Sequence, residues 1–238
     1  MIGDNLLKSN RELHSPHSLF GVMSSGISGH LGADDYDSMY ESRSALTTVQ
    51  KQHFVEWFSG SALDSIWTLT GSAGVMNNAV DGGYKMTTAA GQWEHTVINF
   101  NNKRQYSKTG SVIMGVFKRG DADSEMYFGG SNDLEMNVVA TNKHSYLDAS
   151  NVATNVLRTT GDGVSNNDVS TSTATNTNYH AIKIESKAST CECSVDGVLE
   201  ATSSTNLSTT DFQPAYEIRT RANVAKNGYI RYMEAYNT

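Results

Sequence analysis

From residue 51 onward the chain is written in short segments rich in Val, Ile, Thr, Tyr, Phe and Trp, broken at close intervals by Gly, Asn, Asp and Ser. Segments this short, bounded by turn formers, predict the strands of a β-sandwich or barrel. The expected strands include HFVEWF, IWTLTG, GYKMTTA, QWEHTVINF, SVIMGVFKR, EMYFGG, DLEMNVVAT and SYLDA, followed by NVLRTT, NYHAIKIES, TCECSV, VLEATSS, AYEIRTR and YIRYMEAY. With 2 prolines in 238 residues, the ladders run largely uninterrupted. SVIMGVF is apolar on both faces and belongs at the centre of a sheet or under a cover. In residues 133–138, Leu134, Met136 and Val138 alternate with Asp133, Glu135 and Asn137, as in a strand wet on one side. The stretch GDGVSNNDVSTSTATNTN, residues 161–178, has almost nothing to bury and predicts an exposed loop or a loosely paired edge.

Asp196-Gly197 is the dipeptide best suited to a type I′ turn, whose two central residues both need positive φ. That turn pairs Val195 with Val198, Ser194 with Leu199, Cys193 with Glu200 and Cys191 with Thr202. The two cysteines, the only ones in the chain, then share the face of Val195. Neighbours on one strand face do not meet disulfide geometry, and two thiols fall short of the four ligands of a structural zinc. They are expected to be reduced and to act as small apolar residues. Glu200, on the same face in this register, does not fit that reading.

Residues 1–50 have a different texture, mixing Gly and Ser with scattered apolar residues and no period of two. They predict an N-terminal arm with one short helix near 34–43, preceding a domain over 51–238. Its apolar residues Leu6, Leu7, Leu19, Phe20, Tyr36 and Tyr40 are the expected assembly contacts. The formal net charge is −7 and no basic run is present, so nucleic acid is not an expected partner. No apolar run approaches the roughly 20 residues that cross a bilayer, and charged residues interrupt the place where a secretory signal would be apolar. Neither a membrane span nor a signal peptide is expected.

With these segments in order, a resemblance emerges. YHAIKIESKASTCECSVDGVLEATSS resembles the late strand pair of the concanavalin-A-like lectin/glucanase jelly rolls, a superfamily that includes LamG-like domains. FVEWFSGSALDSIWTLTG is similar to its opening, and YEIRTRANVAKNGYIRYMEAYN to its closing strands. The resemblance implies an all-β, antiparallel two-sheet jelly-roll β-sandwich over most of 51–237. The glucanases of that superfamily carry Glu-x-Asp-x-x-Glu on one central strand, their carboxylates working in pairs. Neither SEMYFGG nor NDLEMN has that spacing, and Asp133 and Glu135 lack a third acidic partner. The chain is therefore expected not to be an enzyme.

Non-enzymatic relatives of this kind bind sugars or proteins. Trp93, Tyr127 and Tyr146 are the candidate stacking platforms, while Trp57 and Trp67 are expected in the core. Asp162 and Asp168, in an Asx-rich stretch, are the candidate Ca2+ ligands, although no cofactor is required. RGD, residues 119–121, reads as the end of a strand. A lectin-like sandwich without a signal, carrying free thiols and an arm, suggests a virion structural protein: a capsid decoration, capsid or tail component made in the host cytoplasm. Its expected partners are other virion subunits, in a homo-oligomer. The alternative is a carbohydrate- or receptor-binding module that recognises a host-surface glycan, and a glycan-cleaving enzyme ranks last.

Overall fold

The computed structural model describes residues 53–59, 61–76, 83–121, 123–133, 136, 143–149, 154–161 and 165–238. The expected arm contacts Leu6, Leu7, Leu19, Phe20, Tyr36 and Tyr40, the helix at 34–43, and Glu135 and Asp162 lie outside the described residues. Every regular element among the described residues is a strand. In chain order these are β1 (Phe54–Glu56), β2 (Thr68–Gly71), β3 (Ala73–Met76), β4 (Tyr84–Thr87), β5 (His95–Asn99), β6 (Gly110–Arg119), β7 (Ser124–Ser131) and β8 (His144–Asp148). They continue with β9 (Thr154–Thr160), β10 (Asn167–Ala174), β11 (His180–Lys187), β12 (Cys191–Val195), β13 (Val198–Ser203), β14 (Gln213–Thr220) and β15 (Asn227–Asn237).

The strands form two antiparallel sheets. The 8-stranded sheet runs β13-β12-β11-β6-β15-β4-β3, with β1 also on β15, and the 7-stranded sheet runs β10-β9-β8-β7-β14-β5-β2. This is the expected jelly-roll sandwich. β6, apolar on both faces, lies between β11 and β15 near the middle of its sheet. Its residues Ile113 and Phe117 enter the core, where the Phe117 ring meets Phe128 and Tyr216 of the opposite sheet at centroid distances of 4.6 and 5.5 Å. Between them, Gly115 is required by close approach, because a Cβ there would lie 2.8 Å from the ring of Phe128.

At the hairpin, Asp196 and Gly197 have φ of 51° and 85°, as the I′ turn demands. Val195 pairs with Val198 and Ser194 with Leu199, and then the register slips by one residue. Cys193 now faces Ala201 and Cys191 faces Ser203, so the expected pairings with Glu200 and Thr202 are corrected by a bulge. The bulge removes the misfit at Glu200, which turns from the core to β10. There it accepts hydrogen bonds from the Ser172 and Thr173 backbone amides at 2.6 and 2.9 Å and from both hydroxyls. Both cysteines are buried and reduced, and burial pushes the Cys191 thiol up to about 11.

The loosely paired edge expected within 161–178 is Asn167–Ala174, an irregular edge strand on β9. Two further expectations change. Asp133 and Met136, expected in a strand, both lie outside the strands. Trp57, expected in the core, is 66% exposed, whereas Trp67 is buried. The Arg of RGD is 3% exposed and donates to the Ser124 carbonyl at 2.9 Å, so it holds a turn together and presents nothing to a partner.

Candidate functional site

On β7, Met126 and Phe128 enter the core, so strand alternation sends Glu125 and Tyr127 to the outer face of the 7-stranded sheet. The register completes this face. Tyr127 lies between Glu217 of β14 and Asp148 of β8, while Glu125 is opposite Arg219. One row along, Tyr146 lies opposite Arg158, and Arg158 opposite Asp168. Carboxylates from three adjacent strands thus surround one tyrosine.

Each carboxylate has a cationic partner. Arg221 donates from Nε to Glu125, which also accepts from the Tyr127 hydroxyl at 2.6 Å. Glu217 accepts from Arg219 at 3.3 Å and from the Met136 backbone amide at 2.6 Å. Arg158 reaches Asp148 at 2.9 Å and clasps Asp168. Burial, reinforced by Asp148 and Glu125, keeps the Tyr127 hydroxyl protonated far above the usual range for a phenol. Burial, with Arg158 nearby, brings His144 down to about 3, so its imidazole is neutral at pH 7. The row combines neutral phenols, a neutral imidazole and arginine-held carboxylates.

Tyr127 and Tyr146 are 1% and 0% exposed, packed with Met136 and Ala215 in a cluster of their own. The expectation that they offer ring faces to a ligand is therefore corrected. Their rings meet edge to face at 5.4 Å. Asp168 spends its oxygens on Arg158, and no cluster of His, Cys, Asp and Glu able to hold a metal occurs among the described residues.

Trp93 is different. It precedes β5 in a turn closed by the Glu94 amide on the Gly91 carbonyl at 3.2 Å, and it is 50% exposed. Its φ of 68° is left-handed, a costly conformation for a bulky residue. The conformation is held by its backbone N–H, which donates to the Thr220 carbonyl at 2.8 Å, and by the Arg221 guanidinium 5.9 Å from its ring centroid. An exposed indole is thus linked through Arg221 and Glu125 to the buried row at Tyr127. The alternating Glu217, Arg219 and Arg221 on EIRTR are the sequence signal for this face. Their partners lie on strands remote in sequence, so the pairing itself could not be read there.

No protein-family model and no curated protein matches the chain. Among solved structures, the chain is similar to a Crh5 transglycosylase in complex with NAG, with 13% identity over 80% of this chain and 86% of that one, at a TM-score of 0.60. It is similar to the carbohydrate recognition domain of Emp47p, with 12% identity over 80% and 98% and a TM-score of 0.59. A Bacillus licheniformis β-glucanase matches at 12% identity over 79% and 100%, with a TM-score of 0.53. These likenesses show the fold, a jelly-roll β-sandwich shared with a transglycosylase, a recognition domain and a glucanase.

They also overturn the expectation that the chain is not an enzyme, because a transglycosylase and a glucanase share this fold with a recognition domain. The expectation rested on a missing acidic triplet within one strand. Here Glu125, Asp148 and Glu217 come from three strands that become neighbours only in the sheet.

Proposed function

We propose that this is a carbohydrate-active protein that receives its glycan at the solvent-exposed turn before β5, with Trp93 as the stacking platform. The observation that carries the reading is the held, left-handed Trp93, half exposed and backed by Arg221. A strained aromatic kept facing solvent marks a functional position better than a core position would. A pyranose has an apolar C–H face that stacks on an indole and hydroxyls that an arginine fork can bind. The experiment is a glycan array followed by calorimetric titration of the best hit. Trp93→Ala is expected to weaken binding at least tenfold while leaving the fold intact, and unchanged affinity would remove Trp93 from the site.

Likeness in fold to a transglycosylase and a glucanase favours a second reading, cleavage or transfer of the bound glycan. Incubation with the hit polysaccharide, followed by assay of new reducing ends, tests it. Turnover by the native chain that is lost in Trp93→Ala supports the reading, and no turnover by the native chain counts against it.

Docking on a virion, in a homo-oligomer assembled through residues 1–50, is a finer reading supported by sequence alone, and nothing in the comparisons shows a viral origin. Light scattering of the native chain beside Leu19→Asp/Phe20→Asp tests the arm: loss of assembly supports it, and identical masses remove it.

A further inference from the structure

The outer face of the 8-stranded sheet carries a second aromatic feature, unconnected with Trp93. Register places Tyr232 of β15 beside Val116 of β6, and Val116 beside Ala181 of β11. In the next row Glu234, Met114, Lys183 and Ser194 follow one another across the same strands. The short side chains Val116, Ala181 and Ser194, with Gly197 at the turn, leave a groove of about 350 Å³ that runs across the strands. Met114 and Lys183 line it, and Tyr232 closes one end.

At that end Trp57, 66% exposed, packs on Tyr232 with ring centroids 4.6 Å apart. Tyr232 is itself fixed, because its hydroxyl donates to Glu234, which is hydrogen-bonded to His53 at 2.8 Å. The Lys183 ammonium is steadied by Glu185 at 2.6 Å. The groove therefore combines an exposed indole on a fixed phenol, an apolar floor, a hydroxyl and an ammonium. Its volume falls in the range of ligand pockets.

We propose that this groove is a second sugar-binding site, on the sheet opposite Trp93, taking an oligosaccharide that lies across the strands with one ring stacked on Trp57. Chemistry commits it to a sugar: the occupant must offer an apolar face to Trp57 and Met114 and polar edges to Ser194 and Lys183, which a pyranose chain does and an aliphatic ligand does not. The inference shares a ligand class with the proposed function but depends on no residue of that site. Two sites on opposite sheets would let one molecule bridge two glycan chains.

The test uses the full chain carrying Trp93→Ala, titrated with chitohexaose, laminarihexaose and a mucin O-glycan fraction, with tryptophan fluorescence and calorimetry as readouts. Saturable binding to at least one probe that persists in Trp93→Ala is expected. It should weaken at least tenfold when Trp57→Ala is added and equally when Ala181→Arg fills the groove; both positions are exposed, so neither change threatens the fold. Binding in Trp93→Ala that is indifferent to Trp57→Ala and Ala181→Arg overturns the groove. So does binding by the native chain that vanishes with Trp93→Ala alone, a result that leaves the first site standing. Failure of the native chain to bind any of the three probes, or any glycan on the array, overturns both readings.

Discussion

Arg158 holds Asp168 by two parallel hydrogen bonds, Nε to Oδ1 at 2.7 Å and Nη2 to Oδ2 at 2.8 Å, and places Nη1 2.9 Å from Asp148. A planar guanidinium matched to a carboxylate in this way is the strongest form of the pair. The arginine thereby ties the edge strand β10 through β9 to the buried face at β8. Asp168 is half-exposed, so its loss should cost no more than about 1 kcal/mol. Asp148 is buried, and Asp148→Ala should cost about 2–3 kcal/mol, below the usual penalty for a broken buried pair because Arg158 keeps Asp168. Urea denaturation of both single variants and the double variant measures the coupling. Equal costs for the two would show that Asp148 is not the buried anchor.

His144 gives the chain a pH dependence of definite sign. Its folded-state pKa is depressed to about 3 by burial, against about 6.5 unfolded. Between these values the unfolded chain binds the extra proton, so stability is fully present above about pH 6.5 and falls as the pH drops toward 3, by up to about 1.4 kcal/mol per unit. The Thr160 hydroxyl 2.9 Å from Nε2 holds the neutral ring, and Arg158 opposes its protonation. Thermal melts from pH 7 to 4 should show the slope, and His144→Gln should flatten it.

The buried thiols should be silent. Burial raises both Cys191 and Cys193 above the ordinary thiol range, so little thiolate exists near neutrality and neither sulfur meets solvent. At pH 8 a thiol reagent is expected to label neither in the native chain and both in denaturant, as read by mass spectrometry. Cys193→Ser puts a hydroxyl into the apolar core and should cost about 1–3 kcal/mol.

The bulge at Glu200 is a stitch between the two sheets. Its carboxylate is held below the usual range by hydrogen bonds from Ser172 and Thr173. A depressed carboxylate contributes stability that is present above about pH 4.3 and is lost as the pH falls through its folded value. Glu200→Gln keeps the shape and halves the acceptors, so amide exchange at 172–173 should speed up severalfold. Unchanged exchange there would show that the bulge stands without the stitch.

The hairpin turn, the central place of β6 and the concealment of both cysteines were legible because each depends on neighbours in sequence. Asp196-Gly197 has its turn written in two residues, and SVIMGVF declares its burial by being apolar on both sides. Tyr127 and Tyr146 show the opposite case. Aromatic composition could not say which face of the sandwich they join, and the sheet buried them while leaving Trp57 and Trp93 in solvent. The same holds for Glu125, Asp148 and Glu217, which come within reach of one tyrosine because β8, β7 and β14 are neighbours in the sheet although β14 lies far along the chain.

The sequence by itself determined the elements, their alternation and the sandwich class, since strand period and turn chemistry are local properties of the chain. Tertiary structure alone decided the site. Strand order and register set which charges meet, and a one-residue slip, such as the bulge that frees Glu200, redirects a side chain from core to partner. No local pattern encodes that choice, because its energy resides in contacts between strands that the chain brings together only on folding.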